Sequence, residues 1–348
     1  MGTHASVLID GSEGEGGGQL LRTSLTLSML TGRPFEIIQI RAKRPRPGLQ
    51  AQHLQALVAA QQICAATVEG AQKDSLHVRF SPEEPRSGHY RFDIGTAGAT
   101  SLVLHTLYLP LSRCDQPSTV RIRGGTHVLW SPTYHYLADA WLPCLQAMGL
   151  RLDLTLLRAG FYPHGGGELA ANIAPVTAIQ PLKLTTRGPL QAVRVFSAQT
   201  NLTDEVARRQ ARAAVRVLRQ AGLQPSVVAT HLPSLSRNTV CIVTGIFEHT
   251  RVCYSALGER GKRAEQVAEE ACREFLAFLR SDATVDAHLA DQLVLPMALA
   301  SGASVMRTPQ VTQHLLTNIA TIQKFLPVTI HLSGALGASA DVEVIPEP

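Results

Sequence analysis

The chain reads as an α/β (α+β) protein in which one order of elements recurs three times, with a small α/β domain inserted between the second and third passes. Three observations predict this. A polar or Gly-rich turn, a helix, a strand, a polar loop, a second helix and two strands follow one another in the same order three times. The stretch between the last two passes has a different texture, dominated by two charged helices. A content of 45% hydrophobic and 17% charged residues in 348 describes a packed globular protein of two domains, or one large domain carrying an insertion.

The first pass opens on an apolar run, Val7, Leu8 and Ile9, and a Gly-rich loop. A helix over residues 20–30, a strand over 35–40, a helix over 49–64 and strands over 76–80 and 90–94 follow. The second pass starts at residues 95–101 and runs through a helix over 102–111, a strand over 119–123 and a loop over 124–132. A helix over 134–148 and strands over 151–157 and 167–173 complete it. The third pass has an apolar helix from residue 288, a strand over 304–307, a helix over 311–325 and strands over 328–332 and 341–345. Between them, strands over 190–198, 226–230, 238–247 and 252–257 alternate with helices over 203–220 and 263–279. The predicted division is a core of residues 1–186 and 282–348, with residues 187–281 as the inserted domain.

The loop Asp10-Gly-Ser-Glu-Gly-Glu15-Gly-Gly-Gly-Gln19-Leu-Leu-Arg22 is the most telling segment. Its five glycines let the backbone approach a ligand closely, and the helix behind it aims unpaired N–H groups at an anion. Arg22 can fork onto phosphate oxygens, and Glu15 could hold a divalent cation that phosphate also touches. No Lys-Ser or Lys-Thr follows, so this is not a Walker loop, and a plain flexible turn is the alternative. Arg41-Ala-Lys43-Arg44-Pro-Arg46-Pro-Gly48 then packs four cations into six residues. Pro45 and Pro47 make it a stiff loop, ahead of a helix carrying Gln52 and His53 in its first turns. Arg outnumbers Lys there, as bidentate phosphate recognition favours, and an aromatic content of 5% argues against a wide base-stacking platform. Contact with a nucleotide or the phosphate end of a nucleic acid fits best.

Other features narrow the field. No apolar run is long enough to span a membrane and no signal core opens the chain, so a cytoplasmic protein is expected. Six cysteines without a CxxC pair indicate neither zinc nor redox chemistry. A net charge of +5 permits a polyanionic partner without demanding one. In the third pass, His314 is followed at helical spacing by Thr317 and Asn318, which could orient its ring; a held imidazole can attack phosphorus, though a structural histidine is the plain alternative. Asp291 and Gln292 sit at the start of an apolar helix, where a carboxylate is often only a cap. Phe161-Tyr-Pro-His164-Gly-Gly-Gly-Glu168 looks like an esterase oxyanion loop, but no G-x-S-x-G exists, and a tight turn between strands explains it.

Taken together, Glu15-Gly-Gly-Gly-Gln-Leu-Leu-Arg22, the Arg41/Arg44/Pro47-Gly48-Leu49/Gln52-His53 set, Phe161-Tyr-Pro-x-Gly-Gly-Gly, His288-Leu-Ala-Asp-Gln-Leu-Val-Leu-Pro-Met-Ala and His314-Leu-Leu-Thr-Asn-Ile resemble the RNA 3′-terminal phosphate cyclase family, from about residue 5 to residue 345. The resemblance implies three units of two helices on a four-stranded sheet plus the insertion. It implies His314 as a nucleophile that takes AMP from ATP, passes it to an RNA 3′-phosphate as RNA(3′)pp(5′)A, and so permits closure to a 2′,3′-cyclic phosphate. Gln19, Arg22, Arg41, Arg44, His105, Pro132, Tyr136 and the run His288, Leu289, Ala290, Asp291 and Gln292 are the implied ATP or AMP contacts. Arg41, Arg44, Gln52 and His53 are implied at the RNA end, and Glu15 at Mg²⁺ or Mn²⁺. Two departures weaken nucleotide contacts: His288 replaces an aromatic, and His105 a glutamine. The alternatives are a non-catalytic cyclase-like RNA-binding protein of ribosome assembly, and an enolpyruvyl transferase of similar architecture. The oligomeric state, a homodimer included, stays open.

Overall fold

The computed structural model describes residues 5–347. The first unit comprises β1 (Val7–Asp10), α1 (Gly18–Thr31), β2 (Phe35–Ile38), α2 (Ala51–Cys64), β3 (Thr67–Glu69) and β4 (Val78–Ser81). The second comprises β5 (His89–Asp93), α3 (Thr100–Ser112) and β6 (Ser118–Gly124), then a long helix and β7 (Arg151–Arg158) with β8 (Gly167–Ala174). That helix is α4 (Tyr134–Tyr136), a π-helical turn over Leu137–Trp141, and α5 (Leu142–Ala147). In the first unit the sheet order is β1-β2-β4-β3, and in the second β5-β6-β8-β7. Each has one parallel pair, β1 with β2 or β5 with β6, and antiparallel pairing beyond it.

A fourth sheet interrupts this pattern. It contains β9 (Leu190–Thr200), α6 (Asp204–Gln220), β10 (Pro225–His231), β11 (Asn238–Phe247), β12 (Arg251–Leu257) and α7 (Ala264–Leu279), with strand order β10-β9-β11-β12. Its helices and strands bury a separate apolar cluster that includes Val195, Val243, Val267 and Phe275. Acidic Asp204 and Glu205 begin α6 and Arg219 ends it, so its charges complement the helix dipole. The third unit follows: α8 (Ala287–Ala298), β13 (Ser304–Thr308), α9 (Gln313–Phe325), β14 (Val328–Leu332) and β15 (Ala340–Pro346).

Two strand expectations need correction. The strand at residues 89–93 does not close the first unit; it opens the second, paired parallel with β6, and β3 supplies the first sheet's missing edge. The third sheet has three strands, β13-β15-β14, where four were expected. Residues 179–184 occupy the fourth place as isolated parallel bridges, Ile179 to Ala300 and Lys183 to Val305. Pro181 lies between them and has no N–H for the ladder, so pairing there stays fragmentary.

Helices from different units share one continuous core: α1 packs on α3 and α9, and α8 packs on α9. Asn318 is the polar staple within it. Buried in α9, it accepts a hydrogen bond from Thr23 Oγ1 of α1 at 2.7 Å and donates to the Asp291 carbonyl of α8 at 2.6 Å. The cysteines are free thiols, all buried except half-buried Cys114, and burial pushes Cys64 up to about 11 and Cys144 to about 12. They act as small apolar groups, unreactive at neutral pH. No helix among the described residues is long and apolar enough to cross a membrane. Replacing Asn318 with Ala leaves the buried Thr23 hydroxyl without its acceptor and removes the tie to α8, which costs about 1–3 kcal/mol. Urea unfolding of Asn318→Ala followed by circular dichroism should show that loss.

Candidate active site

The Gly-rich loop leads into α1 and lies against the first turns of α2 and α9. Its backbone is fixed from the far end of the chain: Glu15 N donates to Thr317 Oγ1 at 3.0 Å. Gly14 has φ +59, and a Cβ there would stand 2.3 Å from that same hydroxyl oxygen. Gly18 is equally constrained, because a Cβ on it would lie 2.2 Å from His53 Nε2 and 2.8 Å from an Arg22 guanidinium nitrogen. The glycines are needed because side chains from α1, α2 and α9 fill the space around them.

Charge is concentrated here. Arg44 forms an ion pair with the Glu15 carboxylate and donates to the Glu15 carbonyl at 3.1 Å. His314 Nε2 lies 3.3 Å from Glu15 Oε1, with 48% of its side chain exposed. Burial lowers the His314 pKa; Glu15 opposes this, while His288, Arg22 and Arg44 add to it. The ring is therefore held towards its neutral, nucleophilic form. Burial brings Arg22 down to about 10, still a cation at neutral pH. His53 is pushed down to about 3 by burial and by Arg22 and Arg41. Its Nδ1 accepts from Gln50 N at 3.1 Å, which leaves Nε2–H as the donor of a neutral ring. His105, packed 4.9 Å from the Trp141 ring, is likewise lowered to about 3 by burial and Arg22.

Asp291 behaves in the opposite sense. Burial raises its carboxyl to about 8, against a hydrogen bond from Gln19 and the Arg22 charge, and with Asp286 adding to the rise. It is thus largely protonated at neutral pH.

The expected residues fall into groups. Glu15, Gln19, Arg22, Arg44, His53, Asp291 and His314 are joined by the contacts and charge couplings above, with Arg41 acting on His53. Arg41 also folds its own loop, donating to Arg46 O at 2.6 Å and Gly48 O at 3.1 Å. Gln52 faces the second unit, where its Oε1 accepts from Ala99 N at 3.2 Å. Gln292 Oε1 and His105 Nε2 are buried without a hydrogen-bond partner. Leu289 and Ala290 have fully buried side chains, so only their backbone could meet a nucleotide. Half-buried Pro132 precedes Tyr136, whose ring is buried and whose hydroxyl donates to Asp286 at 2.9 Å, which joins that segment to the start of α8 beside exposed His288.

Two expectations change. Asp291 does not start its helix: Asp286 is the N-cap of α8, accepting from His288 N and Leu289 N, and Asp291 lies a turn further in. Thr317 and Asn318 do not orient the His314 ring. Both side chains clip α9 to its neighbours, and Glu15 faces the imidazole instead. Asp286 went unnoticed in the sequence, although an Asp directly before a helical apolar pattern is a capping signal.

A carboxylate, two arginines and a neutral-leaning imidazole at the first turn of a helix offer the chemistry that phosphate recognition needs. The family model described as RNA 3'-terminal phosphate cyclase matches residues 13–332. The chain belongs to the RNA 3'-terminal phosphate cyclase family. It is 46% identical over 336 residues to the RNA 3'-terminal phosphate cyclase of Ralstonia nicotianae, covering 95% of this chain and 94% of the relative. The similarly named protein of Methanopyrus kandleri is 40% identical, with 97% and 98% covered, and that of Salmonella agona 38%, with 94% of each covered.

Two expected outcomes follow from the geometry of this cyclase-family site. Gly18→Ala should abolish ATP-dependent activity, because its Cβ displaces His53 and Arg22, while the thermal midpoint falls by only a few degrees; paired activity and melting assays check it. Asp291→Asn should alter the pH dependence of stability. With its folded pKa near 8, above the carboxylate value of 3.8, wild type takes up a proton on folding between those limits. Its stability therefore falls relative to the Asn variant as pH rises from about 4 to about 8, then the gap levels off at a few kcal/mol. Denaturant unfolding across that range measures it.

Proposed function

We propose that the chain is an ATP-dependent RNA 3′-terminal phosphate cyclase that works through adenylated His314. The observation that carries this reading is the His314 imidazole: half-exposed, depressed in basicity, facing the Glu15 carboxylate that Arg44 also pairs with, and within the field of Arg22. A neutral ring supplies the lone pair, and the arginines supply fixed positive charge for phosphate oxygens.

In the first step a ring nitrogen attacks the ATP α-phosphorus. A P–N bond forms, the bond to the bridging oxygen breaks, and pyrophosphate leaves. Glu15, beside the ring, offsets the positive charge that develops on the imidazole. In the second step a 3′-phosphate oxygen of RNA attacks the same phosphorus and displaces His314, which gives RNA(3′)pp(5′)A. In the third the adjacent 2′-hydroxyl, losing its proton, attacks the 3′-phosphorus and expels AMP, closing the 2′,3′-cyclic phosphate. Tethering of that hydroxyl supplies on the order of several kcal/mol of the last barrier.

Gln19, Arg22 and the first turns of α8 line the nucleotide side in this reading, with Pro132, Tyr136, His288 and Gln292 around the base. The unpartnered His105 Nε2 and Gln292 Oε1 support a polar ligand there. Arg41, Arg44, Gln52 and the neutral His53 Nε2–H face the RNA phosphate. No group of three or more His, Cys, Asp or Glu among the described residues could hold an ion by itself. Glu15 is the carboxylate that would hold Mg²⁺ or Mn²⁺ carried in on the triphosphate, exchanging its Arg44 pair for the ion, which would supply charge neutralisation to the phosphates. A cytoplasmic location belongs to the same reading.

Incubation with α-³²P-ATP and a divalent cation should label wild type and leave His314→Ala unlabelled. The label should be acid-labile and discharged by RNA bearing a 3′-phosphate. Folded wild type that takes no label yet binds RNA would instead favour a non-catalytic cyclase-like protein.

A further inference from the structure

The two most exposed aromatic side chains lie on neighbouring loops and have no role in the steps above, although Trp130 shares its loop with Pro132. Trp130 is 97% exposed at φ +63, and Tyr162 is 76% exposed. A bulky residue in the left-handed region is costly, and no burial of the indole compensates for it. Tyr162 rides on a rigid base: the adjacent Phe161 is fully buried, stacks on His127 at 5.1 Å, and accepts from Gly165 N at 2.7 Å. The two loops are clamped together, since Thr126 N and His127 N both donate to Gly160 O, at 2.9 and 3.0 Å.

These loops connect physically to the phosphate-binding residues. Gln52, at the start of α2 beside His53, accepts from Ala99 N. Gly98, next to it, accepts from Gly125 N at 2.7 Å, and Gly125 begins the Trp130 loop. Gly165, in the Tyr162 turn, is pressed onto the same segment, where a Cβ would come within 2.6 Å of Thr96 O. A strand leaving His53 and Gln52 would therefore pass over residues 96–99 towards the two aromatics. Basic groups flank that path: Arg158 Nε is anchored on Gly166 O at 2.6 Å, and Arg237 is exposed near Leu235.

We propose that Trp130 and Tyr162 form a base-stacking surface for the single-stranded RNA upstream of its reacting 3′ end. This rests on the cyclase reading for the identity of the strand. Separated aromatic faces on stiff loops, flanked by arginine and continuous with a phosphate site, are what unpaired bases need. Exposed Leu129 and Leu235 adjoin the two rings, so a protein partner or a second copy of this chain is the competing occupant, and the arginines and the continuity with the phosphate site favour RNA over it. The surface makes the enzyme length-sensitive, gripping several nucleotides without reading their sequence.

The chain has two tryptophans, and Trp141 is fully buried, so red-edge fluorescence reports Trp130. Titration with 3′-phosphorylated oligoribonucleotides of about two to about eight nucleotides should quench that emission progressively with length. Trp130→Phe should lose the signal and keep cyclising. Trp130→Ala and Tyr162→Ala should each raise KM for the longer RNAs roughly tenfold, with KM for ATP, His314 labelling and the shortest RNA unaffected. RNA binding that leaves Trp130 emission unchanged, an equal loss at every length, or a shift in KM for ATP would overturn the proposal. So would a concentration-dependent oligomer, seen by analytical ultracentrifugation, that Trp130→Ala abolishes. Quenching by RNA in a protein whose His314 takes no label would sink the cyclase reading and leave this surface standing.

Discussion

The site depends on one hydroxyl that joins the two ends of the chain. Thr317 Oγ1 donates to the Gln313 carbonyl behind it and accepts from Glu15 N, 302 residues away in sequence. That contact holds the Gly-rich loop against the first turn of α9, and so sets Glu15 opposite His314. Arg44 then reaches the same carboxylate from the stiff basic loop. Three segments that carry no site separately are thereby locked into one, and Asn318, a residue further along α9, secures the helices beneath them.

The first two units share a sheet pattern of one parallel pair followed by antiparallel pairs, the third keeps only isolated bridges in place of the parallel pair, and the three contribute unequally. The first gives the glycine loop and arginines, the third gives His314 and Asp291, and the second gives His105 and the wall that Gln52 touches. The fourth sheet enters between the fragmentary strand at 179–184 and α8. It meets the core away from His314, through Phe196 against His135 at 4.4 Å and Ser236 Oγ on the Phe161 carbonyl. Its attachment therefore braces the Tyr162 turn rather than the cluster around His314.

Much of this was legible in the residues themselves. The α+β class showed in the alternation of helical and strand periods, and the glycine and arginine loops that composition singled out do meet in space, through Arg44 on Glu15. What stayed hidden depended on partners distant in sequence. Nothing local distinguishes Thr317 and Asn318 as staples from ring-orienting groups, because both roles use the same helical spacing. The unit boundaries slipped by one strand because β5 follows β4 directly, and only parallel pairing with β6 assigns it. Trp130 carried no signal, since a lone tryptophan in a loop is ordinarily buried and here is not.

Three histidines close to Arg22 show how burial divides labour within one site. Arg22 disfavours a second positive charge on each of them. For His53 and His105, burial compounds that effect down to about 3, so they remain neutral at any physiological pH and can only donate or accept. His314 stands at the surface end of the same field, and Glu15 partly cancels it. Burial and the neighbouring cations lower its basicity, and Glu15 works against them. The Glu15 carboxylate is the one opposing charge among those causes, and the Thr317 hydroxyl that accepts from Glu15 N fixes the backbone that carries it.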